Sequence, residues 1–321
     1  VQIMKTNRSY PQVSVTAKGS KFLKDHPWLY EDEVTGISGS YENGDLVDVI
    51  SPKGRYLGTG FLSLNSRIRV RIFCRNASDV IDRKFFKRRL RYAWQYRREV
   101  MDDVSSCRVI FGEADGLPGL TVDKYENVLV TQIVSYGMEK IRDVIFESLL
   151  EVFEEDGIQI NAIYERNDLA LRAKEGLAET TGYYFRREGF DDDEVIITEN
   201  GIRYHVDYKE GQKTGFFLDQ RYNRQLVSQL ARGKRVLDCF THTGSFALNA
   251  AKGGSVSVTA VDISAGAIEM AQRNAELNDL KVNWVVADVF DHLETVSKRQ
   301  YDLIILDPPA FTKARATIRN A

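Results

Sequence analysis

Four aspartates close apolar, β-rich runs in the last third of the chain: Asp238 in VLDCF, Asp262 in TAVDIS, Asp288 in WVVADVF and Asp307 in YDLIILDPPAF. Asp262 follows Asp238 by 24 residues and ends the second run, where a carboxylate can accept hydrogen bonds from both hydroxyls of a ribose. The loop after the first run, residues 240–244, lacks the Gly-x-Gly-x-x-Gly that lets a backbone close on a pyrophosphate. The expected ligand is therefore a nucleoside without phosphates and not NAD. Taken singly, each aspartate could be a helix N-cap, but four in register at successive strand ends favour a ligand crevice.

These residues need a parallel sheet to bring them together. The first three runs lead towards helical patterns, the rhythm of an α/β fold whose strand ends line a crevice. Upstream, VSVTAK, DLVDVIS, YLGTGFL and RIRVRIF alternate apolar with polar between turn signals and read as a small β-barrel. The middle stretch offers a basic helical pattern, strand patterns at CRVIFGEA, LTVDKY and NVLVTQIV, a helix at MEKIRDVIFESLLEVFEED, then strands near NAIYER and EVIITENG. Antiparallel strands flanking a helix imply an α+β layer, with the acidic run 191–194 a solvated loop at its edge.

HPWLYEDEV, FGEADGLPGLTVDKY, KTGFFLDQR, DCFTHTGSFA and DPPAF, in that order and over nearly the whole chain, resemble the class I S-adenosylmethionine-dependent methyltransferases. Within them they resemble the large-subunit ribosomal RNA methyltransferase I family of cytosine-5 enzymes. The resemblance implies a PUA-like RNA-binding domain over residues 1–75, a central α+β domain over 76–200 and a Rossmann-like methyltransferase domain over 201–321. A class I sheet usually has seven strands, so the later ones are expected to be missing from the sequence given, which stops at Ala321.

In this reading the cofactor is S-adenosylmethionine. Asp238 and the turn carrying Phe240, Thr241, Thr243 and Gly244 lie under its methionine part, Gly244 letting the backbone pass close. Asp262 holds the ribose, with Ile263 and Ser264 after it as further cofactor contacts; Asp288, Val289 and Phe290 meet the adenine; Asp307 lies near the ammonium group. Gln220 and Arg221 are the polar candidates in the segment that covers the cofactor, where Phe216 and Phe217 are equally candidates for core. Pro308 and Pro309 fix φ and leave carbonyls free to accept, which suits holding a flat base, and Phe311 is available for stacking.

Methylation of cytosine at C5 needs a thiolate to add at C6 first, since C5 is a poor nucleophile. The chain has three cysteines, and the motif after the fourth strand contains none. Cys74 and Cys107 lie in the earlier segments, and Cys239, on the first strand under the donor, reads as a small buried hydrophobe. The resemblance places the nucleophile beyond Ala321. A guanine N-methyltransferase, which needs no cysteine, and a non-catalytic RNA-binding or assembly factor that keeps the pocket remain open.

Composition bounds the partners. With 43% apolar and 28% charged residues the chain is an ordinary globular one, and its net charge of −2 gives no global pull towards nucleic acid. RNA contact must then rest on local cations: Lys21, Lys53, Arg55 and Arg67 in the first segment, and Arg88, Arg89 and Arg91 within DRKFFKRRLRYAWQYRRE. The scattered cysteines have no metal-ligand spacing and fit a reducing cytoplasm, so neither a metal nor a disulfide framework is expected. No apolar stretch is long enough for a bilayer and VQIMKTNRSY is no signal peptide, so no membrane partner is expected. Ribosomal RNA is the expected partner, with homodimerisation left open.

Overall fold

The computed structural model describes residues 9–309, which divide into two compact units between Asp193 and Glu194. Within the first, β1 (Gln12–Val15), α1 (Ala17–Phe22), β2 (Trp28–Tyr30), β3 (Val34–Ser38), β4 (Leu46–Ile50), β5 (Tyr56–Leu62) and β6 (Ile68–Cys74) build a six-stranded sheet in the order β2-β6-β5-β4-β1-β3. The four long alternating runs appear as β1, β4, β5 and β6. The short strands β2 and β3 carried too few alternations to stand out. Only β1 and β4 pair in parallel, and Val13, Val47, Val49, Leu62 and Val70 fill the core on one face.

The second sheet of this unit follows α2 (Arg83–Val100) and comprises β7 (Ser106–Phe111), β8 (Leu120–Tyr125), β9 (Val128–Ile133), β10 (Ala162–Asn167) and β11 (Thr180–Arg186), in the order β11-β10-β9-β8-β7. Between β9 and β10 lie α3 (Tyr136–Lys140) and α4 (Arg142–Glu155), one predicted helix broken at Ile141. That long connection lets β9 and β10 pair in parallel, where an all-antiparallel layer was expected. Asp82 caps α2 by accepting from the Phe85 amide at 2.9 Å, and the helix buries Phe85, Phe86, Leu90, Ala93 and Trp94 on one face. Burial of each such large side chain stabilises by about 1.5–3 kcal/mol. Phe61 and Phe73 from the first sheet belong to this same cluster, which is why the two sheets form one unit.

The second unit opens with a hairpin of β12 (Val195–Glu199) and β13 (Ile202–Val206), whose first strand alone the sequence pattern had grouped with the middle segment. Its two-residue turn, Asn200 and Gly201, has φ of 52° and 72°, the left-handed pair that a tight antiparallel hairpin demands. Then come α5 (Arg221–Leu230), β14 (Arg235–Cys239), α6 (Ser245–Lys252), β15 (Ser257–Asp262), α7 (Ala265–Glu276), β16 (Asn283–Val286), α8 (Val289–Glu294) and β17 (Leu303–Leu306). All four strands of the sheet are parallel, in the order β16-β15-β14-β17. Val236 packs on one face with Ala247 and Ala250 of α6; Leu237 and Cys239 pack on the other with Val289. Because β14 is covered on both faces it reads as a continuous apolar run. The chain continues from β14 to β15 on one side and reaches β17 on the other, so the carboxyl end of β14 is a topological switch point, where ligands of open α/β sheets bind.

Candidate active site

Asp238, next to the last residue of β14, is almost wholly buried, at 1% exposure, and accepts from the Thr241 hydroxyl at 2.5 Å. Burial pushes its carboxyl up to about 7; the charges of Asp307 and Asp262 add to the rise, while Thr241 and the Ala247 amide oppose it. Asp307 and Asp262 thus both lie close enough for the Asp238 carboxyl to feel their charge. Asp262, half-buried at the end of β15, accepts from the His242 amide at 2.8 Å on one oxygen and from the Ser264 amide at 2.9 Å on the other. It therefore anchors the β14–α6 loop as well as facing the crevice.

That loop is unusual in its backbone. Phe240 and His242 have φ of 60° and 51°, and Gly244 has 80°. Left-handed non-glycine residues cost energy and persist where the surroundings hold them, and here the Asp262–His242 bond does so. Gly244 has a further reason beyond cofactor approach: a Cβ there would lie 2.7 Å from the Trp284 ring and 2.9 Å from the Ala271 Cβ.

Several expected cofactor residues carry structural duties. Ser264 caps α7 through the Ala267 amide, and Asp288 caps α8 by accepting from the Phe290 amide at 2.8 Å. Val289 is buried at 3% in the core, so only its backbone could meet a ligand. Ile263 and Phe290, at 70% and 60% exposure, are apolar surfaces at the crevice mouth, the Phe290 ring lying edge-on to Phe240 with centroids 6.3 Å apart. Thr243 shares the loop and accepts through its carbonyl from Asn274. Gln220 accepts from Asn223, and Arg221 is buried at 3.5 Å from Glu199. Asp307, Pro308 and Pro309 are exposed beyond β17; Phe311 lies outside the described residues.

Sequence spacing gave no hint of the ion pair that holds the segment before α5. Arg224, 1% exposed, meets Glu199 of the hairpin with two bonds of 2.6 and 2.9 Å and also donates to the Phe217 carbonyl. Phe216 is core, packed under the Arg224 guanidinium and against Tyr204. Phe217 is half-buried, with its ring between the Lys213 ammonium, 4.2 Å away, and the His242 imidazole, 5.5 Å away. Burial holds that imidazole below its ordinary pKa, against the pull of Asp262. His242 was visible as the only ring with nitrogen in the first loop, and its role follows only from these contacts.

The donor set tests the cofactor directly. Acids at the ends of β14 and β15, with Asp307 beyond β17, suit hydroxyls and a positively charged ligand, and the loop supplies no phosphate cradle. The residues present fit S-adenosylmethionine.

In the first unit, Lys21, Lys53, Arg55 and Arg67 are exposed, and none has a carboxylate partner among the described residues. The α2 cations differ. Arg83 and Lys87 bind Glu151 at 2.7 and 2.5 Å, Arg91 pairs with Glu155, and Arg98 reaches Asp156 at 2.6 Å. Half of the helix's eight cations are matched by acids of α4 and the turn after it, which the sequence-based count of cations did not anticipate. Arg88 lies 3.9 Å from Asp79, and Arg89 donates to the Phe73 carbonyl.

Fold and crevice define an S-adenosylmethionine-dependent methyltransferase, and the family model of that description matches residues 182–320, with a PUA-like domain over residues 15–75. The chain is 39% identical over 314 residues to a ribosomal RNA large subunit methyltransferase I from Aeromonas salmonicida, covering 96% of this chain and 78% of that protein. It is 41% identical to the protein of the same name from Pseudoalteromonas atlantica, covering 93% and 75%. A Streptococcus mutans structure assigned to the SAM-dependent methyltransferases superposes with a TM-score of 0.76 at 25% identity, over 93% of this chain and 77% of that one. Another, complexed with SAH, gives 0.78 at 25% identity, over 94% and 77%. The chain belongs to the ribosomal RNA large subunit methyltransferase I family.

Proposed function

We propose that this enzyme methylates cytosine at C5 in large-subunit ribosomal RNA, in the cytoplasm, with residues 1–75 and 76–200 gripping the RNA and 201–321 carrying the transfer. The observation that carries the reading is the convergence of Asp238, Asp262 and Asp307 at the switch point, in a chain whose relatives are named for this RNA. When bound, S-adenosylmethionine supplies an electrophilic methyl group on a sulfonium. Asp262 accepts from the ribose hydroxyls; Asp238 and Asp307 favour the cationic amino-acid end; Ile263 and Phe290 cover the base. Pro308 and Pro309 offer carbonyls without N–H groups to the target base.

The thiolate that cytosine chemistry needs does not come from the cysteines present. Cys74, Cys107 and Cys239 are all buried, and burial pushes the Cys239 thiol up to about 11. The reading therefore assigns the nucleophile to none of the three. Exposed Lys21, Lys53, Arg55 and Arg67 are the phosphate contacts of the first sheet, with Arg88 and Arg89 the remaining candidates on α2.

Mass spectrometry of nucleosides from large-subunit ribosomal RNA decides the matter. Disrupting the gene should remove a 5-methylcytidine and a plasmid copy should restore it. Loss of a methylguanosine would instead favour the guanine enzyme, and unchanged methylation with defective subunits would favour an assembly factor.

A further inference from the structure

The segments HPWLYEDEV and FGEADGLPG meet inside the first unit. The Trp28 indole donates to Glu113 at 2.7 Å, and Arg71 reaches the same carboxylate at 3.3 Å. Beside them opens a cavity of about 470 Å³ whose lining includes Pro27, Phe73, Arg75, Arg89, Tyr92 and Asp115. Its size falls in the ~300–1,000 Å³ range of small-ligand sites.

The charges at this cavity do not cancel. Glu113 is committed to Trp28 and Arg71, and Asp115 takes two bonds from Arg97, at 2.5 and 2.7 Å, and one from the Phe111 amide. Arg75 donates only to the carbonyls of Leu57 and His26, and Arg89 only to that of Phe73. Neither has a carboxylate partner among the described residues, in contrast to Arg83, Lys87, Arg91 and Arg98 on the same helix. Two guanidinium charges are left facing one cavity. One turn along α2 from Arg89, on the same side, Tyr92 is 57% exposed, with its ring at the rim.

The glycine of the FGEADG segment has a part in this. Gly116 has φ of 67°, and a Cβ there would lie 2.7 Å from a terminal nitrogen of Arg89. Any other residue would push that guanidinium away. An exposed aromatic ring and two guanidinium groups without carboxylate partners, in one cavity, together match a nucleotide: base on the ring, phosphate on the arginines.

We propose that this cavity binds an unstacked nucleotide of single-stranded RNA, a recognition subsite separate from the crevice of the second unit. The proposal rests on the reading of the protein as an RNA methyltransferase, since specific RNA recognition favours splayed bases that stack on aromatic or guanidinium planes.

The test is fluorescence anisotropy of a labelled single-stranded RNA oligonucleotide with the full chain, in a salt series. Tyr92→Ala should weaken binding by about 5- to 150-fold, the range for loss of one stacked base. Arg75→Gln should reduce the slope of log affinity against log salt by about 0.7, the single-strand value for one phosphate. Tyr96→Ala, one turn past Tyr92 and outside the cavity lining, should leave affinity unchanged; melting midpoints of all variants verify folding. Wild-type affinity in both Tyr92→Ala and Arg75→Gln would overturn the subsite while leaving RNA binding intact. Absence of wild-type binding would overturn the RNA reading itself. Displacement of the RNA by a free mononucleotide at micromolar concentration would reassign the cavity to a free nucleotide, and also overturn the proposal.

Discussion

The amide of His242 donates to the Asp262 carboxylate at 2.8 Å, so the residue expected to hold the ribose also fixes the conformation of the loop that would lie beneath the methionine. The end of β15 and the β14–α6 loop are thereby tied by a single side chain. Loss of Asp262 should act on affinity both directly and through a loosened loop held at positive φ.

Asp262→Ala should weaken S-adenosylmethionine binding by at least about 1.5–3 kcal/mol, the value of a hydrogen bond to a charged group. Titration calorimetry of both proteins measures it, and NAD should give no heat with either. Equal cofactor affinity in the variant would remove Asp262 from the site.

Asp238 sets a pH dependence whose sign can be worked out. Its folded pKa of about 7 exceeds the 3.8 of an ordinary aspartate. The folded state therefore holds a proton that the unfolded state has released across this window, and the contribution falls as pH rises from about 4 to 7. Asp238→Asn should remove that decline, read as the difference between the two urea-unfolding profiles against pH. A cationic ligand beside Asp238 favours its ionised form, so S-adenosylmethionine affinity of the wild type should rise between about pH 6 and pH 8, with proton release detectable by calorimetry in two buffers.

Glu199→Ala strands the Arg224 guanidinium, buried with it at 1% exposure. Removing one partner of a buried pair costs about 3–5 kcal/mol, whereas replacing both by apolar residues is often close to neutral. Urea unfolding should accordingly show a large loss for Glu199→Ala and a small one for Glu199→Leu combined with Arg224→Met. A small loss in the single variant would mean that water already reaches the pair.

The exposed and the paired cations should separate in RNA binding. Lys53→Ala with Arg55→Ala should flatten the salt dependence of log affinity by up to about 0.7–0.9 per lost phosphate contact. Arg91→Ala, which breaks an exposed pair with Glu155, should leave the salt dependence of RNA affinity unchanged and cost little stability. The reverse ranking would return the RNA contact to the paired side of α2.

Cys239 packs in the core with Leu237, Val261 and Val289. Cys239→Ala should leave cofactor affinity unchanged and lower stability modestly, and iodoacetamide at about pH 8 should modify the native thiol slowly because burial raises its pKa. Rapid native alkylation, followed by mass spectrometry, would place this thiol in the site after all.

The sequence alone determined the parallel sheet, its strand ends and the kind of ligand. Each depends on local pattern: apolar runs closed by Asp238, Asp262 and Asp307, and a loop without the phosphate glycines. What only the tertiary structure decided is how residues far apart share their charges and surfaces. Lys87 meets Glu151 across 64 positions and Arg224 meets Glu199 across 25. Asp288 and Ser264 are drawn into helix caps, Val289 into the core, and Gly244 into contact with Trp284. A short-range pattern specifies which face of an element is apolar, because that follows from the helical and strand periods. It cannot specify which partner arrives on that face, because that is set by how helices and sheets pack once both have formed.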